Sequence, residues 1–287
     1  MYNLRYHIAS LVAVFLALAV GLVLGTVEAE SGLLKSQIKT TVAGLQRSYD
    51  DLRTQVKDLK SSNDALTSFA SETGPQISRD ALVGRTVLIV ADPDSGPAVT
   101  SASAAIRTAG GQVAVATFTG VGLSVGEPGP SRTAVQKALD STDTSQITTQ
   151  VVDALAREWT TTGDPRVVTQ ALTSSGGLRL SGLSSATSVG GVATTLAFGT
   201  SADPTAVVLL RAFRNSAVPR VGVEVTTRPT GAAQAAVAAG FSGVDDVDSP
   251  LGQVSLVWVL AQRANGSYGV APTADQPYPK PLFTSSQ

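Results

Sequence analysis

Seven carboxylates, Asp92, Asp94, Asp203, Glu224, Asp245, Asp246 and Asp248, fall just after strand-like apolar runs or in the loops behind them. In an open parallel sheet, loops at the carboxyl ends of the strands line one crevice, the usual place for a ligand. Asp92, Glu224, Asp245 and Asp246 are the candidate ligands among them, and a hard cation such as Mg²⁺ or Ca²⁺ would suit their oxygens. The architectural alternative is that Asp is favoured in turns and helix caps whatever the function. Other chemistry is poorly supplied. The chain has no cysteine, so thiol nucleophiles, thiolate metal sites and disulfides are excluded. Its one histidine, His7, lies at the extreme N-terminus, and only Lys137 and Lys280 lie beyond residue 81. Neither GxGxxG nor GxxxxGK[ST] follows the first strand, which leaves dinucleotide and nucleotide sites unsupported. With 21 basic against 22 acidic residues there is no basic patch for nucleic acid. No catalytic residue and no cofactor is expected, and the carboxylate-bearing region reads as a recognition module.

The elements that would position these carboxylates alternate strand and helix. Residues 85–91 form a continuous apolar run of buried-strand length. The loop 92–97 then leads to a helix closed by Gly110 and Gly111. A strand over 112–118 follows, then two or three helices over 131–174 interrupted by Gly163, Asp164 and Pro165. Strands over 192–198 and 219–225 bracket a helix over 203–215. Two more helices cover 230–239 and 249–261, the latter with Ser249 as N-cap and Pro250 at N1. This alternation predicts a Rossmann-like or flavodoxin-like α/β domain over 82–270, a parallel sheet with helices on both faces. The Pro-rich tail, 271–287, is expected to be extended or disordered.

Ahead of the domain stand two different signals. Residues 8–27 are an uncharged run of membrane-spanning length, longer than the roughly 7–15 apolar residues of a cleaved signal. A cleaved export signal is the alternative, since 27–29 could serve as a cleavage site. Arg5 precedes the run and Glu28 and Glu30 follow it, which predicts a cytoplasmic tip at 1–7 and an extracytoplasmic bulk. Ala9, Ala13, Ala17, Gly21 and Gly25 repeat every fourth residue, a small-residue face for helix packing in the bilayer. Behind the run, Ile38, Leu45, Leu52, Leu59 and Leu66 repeat every seven residues. Val42, Tyr49, Val56 and Asn63 fill the complementary position. Branched side chains at a with Leu at d, and one Asn at a, predict a parallel two-stranded coiled coil over 33–70. Such a coil would extend roughly 50 Å at 1.5 Å per residue. A single amphipathic helix folded onto the domain is the alternative. Residues 71–81, opening with Ser71-Glu72-Thr73-Gly74-Pro75, read as a helix-breaking linker.

Two stretches carry a resemblance. Residues 2–25 (YNLRYHIASLVAVFLALAVGLVLG) and 244–257 (VDDVDSPLGQVSLV), the latter followed by 266–269 (GSYG), resemble the mycobacterial copper transport protein B family of actinobacterial envelope proteins. The resemblance covers the architecture from end to end. It implies one membrane anchor, a coiled coil and an α/β domain. It also implies one of two functions. Mycobacterial members are linked to copper efflux, whereas corynebacterial relatives are connected to separation of daughter cells with a membrane-associated partner on the cytoplasmic side.

The residues weigh on that choice. Copper coordination wants Cys, Met or His, and this chain offers only Met1 and His7. One apolar helix per chain encloses no channel without higher oligomers, and the remainder lacks the alternating ten-residue segments of an outer-membrane barrel. The leading expectation is therefore a non-enzymatic, dimeric, single-pass envelope protein acting through protein contacts. Its partners would be a peptidoglycan hydrolase and a cytoplasmic-side membrane protein, in wall remodelling or daughter-cell separation. Copper efflux or homeostasis is the alternative.

Overall fold

The structure, a computed structural model, describes residues 4–30, 33–91, 93–119, 125–184, 186–196, 212–213, 218–227 and 229–280. The chain divides into two units, Met1–Ala65 and Leu66–Gln287. Asp92, Asp203 and nearly all of the helix expected over 203–215 lie outside the described residues.

The first unit is helical. α1 (Leu4–Glu30) contains Tyr6–Gly25, the one described helix long and apolar enough to cross a membrane, with mean hydropathy 2.7. α2 (Leu33–Ser78) begins in this unit and ends in the next as one 46-residue helix. It runs through Gly74 and Pro75, where the sequence suggested a break. Proline removes a backbone donor in mid-helix and normally ends or kinks it. Here tertiary packing outweighs that cost: Gly74 and Ser78 are buried, and a Cβ on Gly74 would stand 3.2 Å from Val254 Cγ2.

The second unit is built on a seven-stranded sheet of order β3-β2-β1-β4-β5-β6-β7. β1 (Thr86–Ala91), β2 (Gln112–Phe118), β4 (Val189–Thr194), β5 (Arg220–Val223), β6 (Ser242–Val244) and β7 (Ser267–Tyr268) run parallel, and β3 (Leu178–Ser181) is an antiparallel edge on β2. All six side chains of β1 are buried, as a central strand covered on both faces requires. Leu88 and Val90 join one core with α4 (Pro130–Leu139), α5 (Ile147–Thr160) and α6 (Val167–Ser174). Val87 and Ile89 join the other with α3 (Gly96–Thr108) and α8 (Pro250–Leu260). The period-2 side-chain alternation of a strand thus divides the apolar residues between two layers of helices. α7 (Ala232–Ala238) sits against β5 and β6 where Gly222 and Gly243 have no side chain, since a Cβ there would collide with Ala232 O or Ala233 O.

The three middle helices, the α8 N-cap and the Gly110 turn match expectation. Ser249 Oγ accepts from Gly252 N at 2.9 Å with Pro250 in the first turn. Gly110, at φ +80°, donates to Arg107 O, and Gly111 donates to Ile106 O. β3, β6 and β7 were not foreseen. Described tail residues are tied to the sheet edge: Asp275 and Gln276 donate to Ser267 O, and Gly269 donates to Gln276 O.

Candidate functional site

The sheet brings Glu224, Asp245, Asp246 and Asp248 to the carboxyl ends of β5 and β6, and each makes a local hydrogen bond. Glu224, directly after β5, is buried, and its Oε2 accepts from Thr230 N, Gly231 N and Ala232 N at 2.9, 2.6 and 3.1 Å. Those amides open α7, so a protein carboxylate occupies the anion-binding end of that helix. Asp245, after β6, accepts from Val270 N and Ala271 N at 2.8 and 3.2 Å and holds the loop behind β7. Asp248 Oδ1 accepts from Thr226 N at 2.9 Å and links the loops after β5 and β6. Asp94 is exposed in the loop before α3. Among the described residues no three His, Cys, Asp or Glu side chains gather to hold a metal.

Asp246 differs from its neighbours. It is 2% exposed, Oδ2 accepts from Ser249 Oγ at 2.6 Å, and Oδ1 has no hydrogen-bond partner. Burial pushes its carboxyl up to about 6, with Asp245 and Asp248 adding to the rise and the Ser249 hydroxyl opposing it. The backbone there admits no side chain opposite: a Cβ on Gly252 would collide with Asp246 O. A second unpartnered group is Thr195 Oγ1, just beyond β4, in a residue 1% exposed. It lies where strand order reverses between β1 and β4, and Ser95 Oγ donates to its carbonyl at 3.4 Å. Glu158 repeats the capping device at α6. Its carboxylate accepts from Val168 N, Thr169 N and Thr169 Oγ1 and so caps α6. Neither Thr195 nor Glu158 was singled out from sequence, because the burial of the one and the amides held by the other are supplied only by the fold.

The helical residues present a different kind of surface. The seam positions Ile38, Val42, Leu45, Tyr49, Leu52, Val56, Leu59 and Leu66 are 52–70% exposed, and Asn63 is exposed among them. Ala13, Ala17, Gly21 and Gly25 are exposed on α1, and a Cβ at either glycine would meet nothing within 4 Å. In the domain, an apolar groove of about 730 Å³ lies between the end of α2 and the start of α8. Leu66, Phe69, Ala70, Ile77, Leu251 and Val254 line it, with Tyr278 from the tail.

These features define a membrane-associated protein with a single apolar N-terminal helix and a doubly wound, mainly parallel α/β domain. The chain belongs to the family described as copper transport outer membrane protein, MctB, whose model matches residues 1–279. Relatives named copper transporter MctB, from Mycobacterium tuberculosis and Mycobacterium bovis, are 29% identical over 310 aligned positions. The alignment spans 93% of this chain and 95% of theirs. No solved structure gives a significant match.

Proposed function

We propose that this chain serves copper transport or copper homeostasis at the cell envelope, as a non-enzymatic, single-pass membrane protein with its N-terminus in the cytoplasm. The observation that carries the reading is the family match, which runs from the apolar helix to the end of the α/β domain. Its chemistry narrows the role. With no cysteine, one methionine and one histidine, the domain has no soft-ligand set for copper, so its contribution comes through assembly with other envelope components. The exposed heptad seam of α2 supports a homodimer as the assembling unit. The test is copper tolerance of a deletion strain with and without the full chain restored, paired with calorimetric titration of the purified full chain with Cu(I) and Cu(II). Lost tolerance without tight binding by the chain supports the reading. Unchanged tolerance overturns it.

A second reading, scaffolding of a peptidoglycan hydrolase together with a cytoplasmic-side membrane partner, draws on the same seam and the same lack of copper ligands. A deletion strain with normal copper tolerance and chained, unseparated daughter cells would favour it.

A further inference from the structure

We propose that the apolar groove between the end of α2 and the start of α8 receives the end of α2 from a second copy of the chain. The proposal rests on the parallel dimer above and extends it: the heptad seam does not stop at the coil but locks into the domain. Heptad counting from Ile38 puts Leu66 and Thr73 at d and Ala70 and Ile77 at a. All four line the groove, so its floor is the continuation of the seam along the same helix. The outer wall is Leu251 and Val254 of α8, with Tyr278 closing one side, and no lining residue is charged. Leu66 and Phe69 remain 68% and 65% exposed at its mouth. Large contiguous apolar surface on a water-facing domain marks a contact site.

The occupant follows from the seam itself. A groove floored by a and d positions accepts a helix arriving in the same register and direction, and the helix with that register is α2 of another copy. In a parallel pair, the basic e-position residues Arg53 and Lys60 face neutral Ser48 and Gln55 at g. Antiparallel pairing would set basic e positions against one another. The contact is also self-complementary. Leu66 and Phe69, exposed at the mouth of each copy's groove, would be covered by the same residues of the other copy, as a two-fold interface demands. Small Ala70 at an a position permits the close approach.

The absence of cysteine makes this directly measurable in the full chain in detergent micelles or liposomes. Single variants Leu52→Cys, Leu66→Cys and Ser61→Cys are oxidised with diamide and run on non-reducing gels. In addition, Phe69→Cys chains are mixed with size-tagged Leu251→Cys chains. Severalfold more cross-linking at positions 52 and 66 than at 61, together with the mixed 69–251 product, is expected. Cross-linking at 52 without 66 or the mixed product overturns the groove contact while leaving the dimer. No cross-linking above the Ser61→Cys level overturns both. Phe69→Glu, on an exposed side chain that leaves the fold intact, should lower the 69-independent cross-linking at 66 severalfold. Unchanged cross-linking there counts against the proposal.

Discussion

The α/β domain and the helices ahead of it solve opposite problems with similar residues. In the domain, Val, Leu, Ile and Ala from six parallel strands and their helices close on each other. Trp159, Leu88 and Leu155 are fully buried. On α1 and the first part of α2 the same residue types point outward, with Leu22 and Leu59 each 70% exposed. A fold that buries its own apolar surface is stable alone, whereas helices that expose theirs need lipid or another chain to cover it. What differs between the regions is period, not composition. The domain's strands alternate on a two-residue period, whereas the first part of α2 repeats on seven.

Changes that strike one region and spare the other would sharpen this contrast. The largest effect is expected from Trp159→Ala, which removes a fully buried ring stacked 6.3 Å from Phe213 and bonded through Nε1 to Thr169 Oγ1 at 2.9 Å. Loss of about 3–5 kcal/mol from the domain's unfolding free energy in urea is expected, independent of protein concentration. A concentration-dependent loss would show that the domain, too, depends on association. Next is Glu224→Ala, which strips the acceptor from the amides opening α7. A cost of about 2–3 kcal/mol in the same titration is expected, and a change within error would remove Glu224 as an anchor of the fold.

Asp246→Asn should act through pH. A carboxyl raised to about 6 in the folded chain takes up protons there at a pH where the unfolded chain does not, so stability falls as pH rises from about 4 to above 6. A rise of that size corresponds to at most about 3 kcal/mol. The substitution should flatten the dependence of unfolding free energy on pH across this window, and a slope identical to the unsubstituted chain would refute the assignment. The smallest effect on the domain is expected from Leu52→Ala. Its unfolding should move by less than about 0.5 kcal/mol, while the dimer fraction in sedimentation drops. If the domain is destabilised as strongly as by Trp159→Ala, the division between self-sufficient and partner-dependent regions fails.

The elements that announced themselves in the sequence are those whose local chemistry is self-contained. The apolar run of β1, the Ser249–Pro250 start of α8, the Gly110 turn and the apolar span of α1 need no distant partner to be recognised. β3, β6 and β7 span four, three and two residues, too short for periodicity to register, and exist because neighbouring strands offer hydrogen bonds. Gly74 and Pro75 read as a terminator because Val254, 180 positions later, was invisible as the surface that holds the turn. The strand-end location of Glu224, Asp245 and Asp246 was legible. Their use was not, because the amides held by Glu224 and Asp245 and the burial of Asp246 depend on loops whose approach only the fold determines.

The glycines of β5 and β6 carry a consequence for motion. They let α7 settle directly on the sheet, but the helix pressed there, AAQAAVA, covers it with little more than methyl groups. Few dispersion contacts and one carboxylate hold a seven-residue segment, so the free energy needed to detach it lies well below that for global unfolding. α7 is the part of the domain that should exchange its amide hydrogens first, a soft panel in an otherwise stiff wall.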